Sequence, residues 1–174
     1  EECRKGNKKA QFRLYKEYYR AMFNTSFRIV NDRLEAEDVI QEAFLKAFTV
    51  LDQFKGEVSF GAWLKKIVVN KSLDALRKRK PHTEPLEDIG KEPFFEFEDE
   101  TTLDPEVSIR EIKKEIFRLP EGYRVVLSLY LLEGYDHDEI SQIMGITPST
   151  SRSQYSRAKT KLLHNLKKKS DGKY

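Results

Sequence analysis

Residues 136–158 read Asp-His-Asp-Glu-Ile-Ser-Gln-Ile-Met-Gly-Ile-Thr-Pro-Ser-Thr-Ser-Arg-Ser-Gln-Tyr-Ser-Arg-Ala, and this stretch decides the fold. Asp136, with Glu139 three residues on, is a capping-box pattern that starts a short helix, and Ile140 and Ile143 supply its buried side. Met144-Gly145-Ile146 predicts a tight turn in which Gly145 takes a positive φ. Thr147 then caps, and Pro148 opens, a longer helix expected to run to about Leu166. A short helix, a glycine turn and a longer helix form the helix-turn-helix plan. DNA reading by this plan needs short polar and basic side chains near the start of the second helix. Ser149, Ser151, Arg152, Ser153 and Gln154 meet that need, with Tyr155 beside them, and Arg157, Lys159 and Lys161 continue the basic character. Arginine reads guanine and glutamine reads adenine bidentately. The same spacing also suits an ordinary helical hairpin with a polar face.

Outward from this motif, every periodic segment is helical. Phe12, Tyr15, Tyr19, Met22 and Phe23 predict an amphipathic helix over Gln11–Asp32. Ile40, Ala43, Phe44, Ala47, Phe48 and Leu51 give a stripe along Ala36–Leu51, opposite Asp38, Gln41, Glu42 and Lys46. Gly56 and Gly61 break the period, so Asp52–Gly61 reads as a loop that carries Phe54, Lys55 and Phe60. A third helix is expected over Ala62–Arg79, with Trp63, Leu64, Ile67, Val68 and Leu76 inward and a basic last turn that complements its dipole. Further on, Ile109, Ile112, Ile116 and Leu119 fall in register over Val107–Leu119, and Tyr123–Leu132 is a compact apolar helix. No segment alternates like a strand. The fold class expected is all-α: two small helical domains, residues 1–80 and 106–174, joined by an acidic linker at 81–105.

The chain has 174 residues, of which 35% are charged, and its net charge of +3 is unevenly spread. Residues 1–80 hold 18 Lys/Arg against 11 Asp/Glu, residues 81–107 hold 1 against 10, and residues 108–174 hold 13 against 8. Two basic blocks around an acidic one suit a polyanionic partner, or solvated helix faces around a spacer. No apolar run approaches the ~18 residues of a membrane span, and Glu1-Glu2-Cys3-Arg4-Lys5 leads into no secretory signal, so a cytoplasmic protein without membrane insertion is expected. A lone Cys3 and three scattered histidines cannot form a disulfide framework or a Cys/His zinc module. Glu35, Glu37, Asp38 and Glu42 are the densest carboxylates, but acids belong in a first helical turn for dipole reasons alone. Phosphate loops, nucleophile elbows and His-Glu-x-x-His are absent, so no enzyme, cofactor or metal is expected.

Glu37-Asp38-Val39-Ile40-Gln41-Glu42-Ala43-Phe44-Leu45-Lys46-Ala47-Phe48, then Phe60-Gly61-Ala62-Trp63-Leu64, then Asn70, Asp74 and Arg77, then Leu119-Pro120 and the helix-turn-helix, resemble a sigma-70-family RNA polymerase sigma factor. The likeness is to the extracytoplasmic-function group, which keeps only regions two and four, and it spans residues 8–166. It implies that Asp38, Gln41, Glu42, Phe44, Lys46 and Phe48 engage core RNA polymerase through its β′ subunit, with β a further partner. It also implies that the loop Asp52–Gly61, with Phe54 and Lys55, seizes an unstacked base of the −10 element, while Lys66, Lys71 and Arg77 follow the backbone there and Asn70 makes a polar contact. Phe54 and Phe60 could instead plug the helical core, the reading that suits Phe60 and Trp63. The helix from Pro148 would enter the major groove at −35, and an anti-sigma factor is the expected antagonist. Ser149-Thr150-Ser151 departs from the family's common Gly-Thr-Val, and Gln154 stands where Arg is frequent, so the −35 sequence cannot be copied from relatives. The rival function is a helix-turn-helix regulator that works without polymerase.

Overall fold

The computed structural model describes residues 1–79 and 109–171, with side chains as far as Lys168. The expected acidic linker lies outside the described residues. The chain divides into two compact units, Glu1–Pro81 and His82–Tyr174. Among the described residues there are seven α-helices and no strand.

The first unit holds α1 (Lys8–Val30), α2 (Arg33–Thr49), a single 3-10 turn (Leu51–Gln53) and α3 (Phe60–Arg79). The Asn7 side chain accepts from the N–H groups of Lys9 and Ala10 to start α1. Asn31 ends α1 in the left-handed region at φ 55°, a conformation asparagine tolerates, and Asp32 caps α2 at once. Two consecutive residues thus make the whole turn. Met22, Ile40, Ala43, Phe44, Ala47, Leu64 and Val68 form the core, walled by Tyr15, Tyr18, Tyr19, Phe23, Phe48, Phe60 and Trp63.

Two expectations fail in this unit. Phe12 is 61% exposed, because its side chain falls outside the arc of α1 that meets α2 and α3. Gly61 is no loop residue but the second residue of α3, whose start is capped one residue upstream of Phe60 where Ser59 Oγ accepts from Ala62 N at 3.2 Å. A Cβ on Gly61 would lie 2.9 Å from Cε1 of Tyr18, so glycine is there for a close helix approach.

The second unit holds α4 (Ile109–Phe117), α5 (Glu121–Leu131), α6 (His137–Met144) and α7 (Pro148–Asp171). Its core is Ile116, Leu119, Tyr123, Leu127, Ala158, Leu162 and Leu166. Helix α5 is buried on every side from Gly122 to Leu129, which explains its unbroken apolar run. Ile109, expected in register with Ile116, is 73% exposed at the first position of α4.

Candidate functional site

Helix α2 turns Asp38, Gln41, Glu42 and Lys46 to solvent. Leu34 and Leu45 stand with them, 73% and 69% exposed. Positions 34, 38, 41 and 45 follow one another by four, three and four, so the two leucines bracket Asp38 and Gln41 on one face. Sequence reasoning missed both leucines; their only signal was apolar character opposite the core stripe. Phe44 requires correction as a polymerase contact: it is 2% exposed and packs edge-on against Tyr15 with ring centroids 4.7 Å apart. The heptad-like spacing that groups Phe44 with Ile40 and Ala47 turns it inward. Phe48 is half-buried against the same core, 6.0 Å from the Phe44 ring.

The loop after α2 begins with Phe54, whose ring lies 5.3 Å from Trp63 and 5.7 Å from Phe60. Phe60 in turn meets Tyr18 at 5.3 Å and Trp63 at 5.7 Å. Phe60 and Trp63 therefore belong to the core wall, and Phe54 leans on them from outside. Lys55 follows in solvent, next to Gly56 at φ 78°. On α3, Lys66 and Asn70 are exposed one turn apart, with Arg77 two turns further along the same face. Arg77 bonds Asp74 at 3.0 Å. Lys71 is half-buried and turned toward α2, where its Nζ meets Glu42 Oε2 at 3.1 Å. Arg79 pairs with Glu35 of the same helix α2.

The helix-turn-helix forms as its residues dictate. Asp136 Oδ1 accepts from Glu139 N at 2.8 Å, and Glu139 Oε2 accepts from Asp136 N at 2.9 Å, closing the capping box. Gly145 ends α6 at φ 71°, and Thr147 Oγ1 accepts from Thr150 N at 3.0 Å to begin α7. Two −35 expectations need correction. Ser151 is fully buried, its Oγ 2.9 Å from Nδ1 of His137, and Gln154 is buried too. They share the face of α7 that carries Ala158 and Leu162 into the core, so they cannot also face a groove.

Tyr155 is half-buried in a ring cluster: Tyr130 and His137 stack at 4.6 Å, and Tyr155 lies 4.6 Å from Tyr130 and 5.6 Å from His137. Burial, with Tyr130 beside it, pushes the Tyr155 phenol up. Burial also raises Tyr135, between α5 and α6, to about 12, with Glu133 and Glu139 adding to the effect. The outward face of α7 is Ser149, Arg152, Ser153, Ser156 and Lys159. Ser156 was missed, although it stands four residues after Arg152. Arg157 and Lys161 are half-buried flanks. Among the described residues, no group of three or more His, Cys, Asp or Glu side chains is placed to hold a metal ion. No described helix is long and apolar enough to cross a membrane.

Residues 14–82 match the family model described as Sigma-70 region 2, and residues 109–162 match that described as Sigma-70, region 4. The RNA polymerase sigma-H factor of Pseudomonas aeruginosa is 33% identical over 171 residues, covering 91% of this chain and 87% of the relative. The ECF RNA polymerase sigma-E factor of Escherichia coli strain K12 is 33% identical over 168 residues, with 91% and 87% covered. In fold, the chain is similar to the sigma factor RpoE solved with the anti-sigma factor NepR from Bartonella quintana: TM-score 0.58, 23% identity, 89% of this chain and 95% of that one. It is also similar to CnrH solved with the cytosolic domain of CnrY: TM-score 0.54, 21% identity, 95% of this chain and 93% of that one.

Proposed function

Because the chain belongs to the extracytoplasmic-function sigma factors of RNA polymerase, we propose how its surfaces divide the work of transcription initiation. Asp38, Gln41, Glu42 and Lys46, with Leu34 and Leu45, dock α2 on core polymerase. Exposed leucines bracketing polar side chains supply an apolar anchor with a polar rim. The Phe54–Lys55 loop, with Lys66, Asn70 and Arg77, takes the −10 element, while Lys71 is held on α2 by Glu42. Exchange of base stacking for aromatic contact there assists melting. Ser149, Arg152 and Ser153 approach base edges at −35, while Lys159, Arg157 and Lys161 stand nearer phosphates. The protein works in the cytoplasm, and an anti-sigma factor restrains it by covering these same faces.

The observation that carries the polymerase assignment is the pair Leu34 and Leu45, exposed on the outer face of α2. A regulator acting on DNA alone gives those leucines nothing to do. The test is run-off transcription by core polymerase with and without this chain, on templates randomised over the −35 and −10 windows. Chain-dependent transcripts with a shared pair of motifs are expected. DNA binding without polymerase recruitment would restore the rival reading.

A further inference from the structure

We propose that Arg4 is a positioning residue for −10 reading: its guanidinium straps the entry of the Phe54 loop by holding the carbonyls of Leu51 and Phe54. The inference rests on the −10 role proposed above for that loop. After Thr49 the chain tightens into the 3-10 turn Leu51–Gln53, which has no side-chain cap. Within the turn Leu51 O accepts from Phe54 N at 3.1 Å, and its second lone pair can take a further donor. Arg4 supplies it from almost fifty residues away, with Nε 3.5 Å from the Leu51 oxygen and Nη2 2.5 Å from the Phe54 oxygen. The planar guanidinium suits this task, because its fork presents two donors in fixed geometry and its charge favours a helix C-terminus.

Phe54 is thereby held on two sides, its backbone by Arg4 and its ring by Phe60 and Trp63. From Lys55 to Val58 the loop is exposed until Ser59 caps α3. The segment bearing Arg4 is itself anchored. Cys3 O accepts from Gln11 Nε2 at 3.2 Å and from Gly6 N at 3.1 Å, Asn7 N donates to Glu2 O at 3.2 Å, and Glu2 pairs with Arg13 at 3.1 Å. Arg4 also lies ahead of residue 14, where the region 2 match begins.

The experiment uses the 174-residue chain bound to core polymerase, with Arg4→Ala and Arg4→Lys variants. The probe is a promoter library randomised at −10 in one pool and at −35 in another, and the bound fraction is sequenced at several salt concentrations. Both variants should lose about tenfold of the preference for the best −10 base, the scale of one charge-assisted hydrogen bond. The −35 preferences, core affinity and salt slope of Arg4→Lys should match the parent protein. Lysine keeps the charge and loses the fork, so parental −10 preference in Arg4→Lys overturns the proposal. Uniform weakening of all sequences, with a salt slope shallower by about one in Arg4→Ala, makes Arg4 a phosphate contact and overturns it equally. If the parent protein itself shows no −10 preference, the −10 assignment of the loop falls first.

Discussion

Nδ1 of His137 lies 2.9 Å from Oγ of Ser151, so the first residue of α6 holds the first turn of α7. With Tyr130 stacked on the same ring and Tyr155 beside it, this contact fixes the rotation of α7 about its axis. That rotation decides which side chains a DNA groove would meet. His137→Ala removes the partner of a buried hydroxyl and should lower stability by about 1–3 kcal/mol. Adding Ser151→Ala should cost little more, a coupling that circular-dichroism melts of the four proteins would read directly.

Arg152 and Lys159 share the outward face of α7 but should behave differently on DNA. Arg152→Ala should cost about 1–3 kcal/mol at its preferred −35 base and relax the preference there. Lys159→Ala should weaken all sequences alike and shallow the salt dependence by about one counterion. Holoenzyme binding to matched and scrambled −35 promoters at several salt concentrations separates the two outcomes.

Leu45 and Phe44 are neighbours in sequence with opposite fates. Leu45→Ser should leave the melting temperature of the free protein unchanged and weaken core-polymerase binding about tenfold, the scale of one buried leucine side chain. Phe44→Ala should instead destabilise the free protein by about 3–5 kcal/mol. Melting curves paired with a core-polymerase titration test both statements.

Tyr135 gives the second unit an alkaline limit. Its folded pKa is raised from 10.0 to about 12, so the neutral phenol is favoured by folding. The unfolded chain ionises first. The contribution is therefore full below about pH 10 and is lost as pH rises through about 12. Tyr135→Phe should melt with a weaker pH dependence than the parent between about pH 9 and pH 12. A parallel dependence in both proteins would contradict the linkage.

Helix starts and stops were legible wherever their chemistry is local. The Asp136–Glu139 box, Gly145 and Thr147 each act within four residues, and each took its expected place. Family membership was legible for the same reason, from short ordered motifs. Ser151 and Gln154 were misread because polar character was taken as outwardness. Counting back from Leu162 through Ala158 by threes and fours places them on the buried face. Gly61 was misread as a breaker because its reason, the Tyr18 ring, comes from another helix. The −10 cations looked equivalent along the chain, yet Lys71 turns to Glu42 across 29 positions while Lys66 stays in solvent. Arg4 left no local trace at all, since its partners stand at 51 and 54.

Trp63 is the only tryptophan in the sequence, and its ring sits 5.3 Å from Phe54 at the base of the loop between α2 and α3. The molecule therefore carries one native fluorophore, at the place where base capture is proposed to occur. Its emission reports the surroundings of that loop without a dye. The second unit contains no tryptophan, so the chain's indole fluorescence arises wholly within the first unit and reports its unfolding.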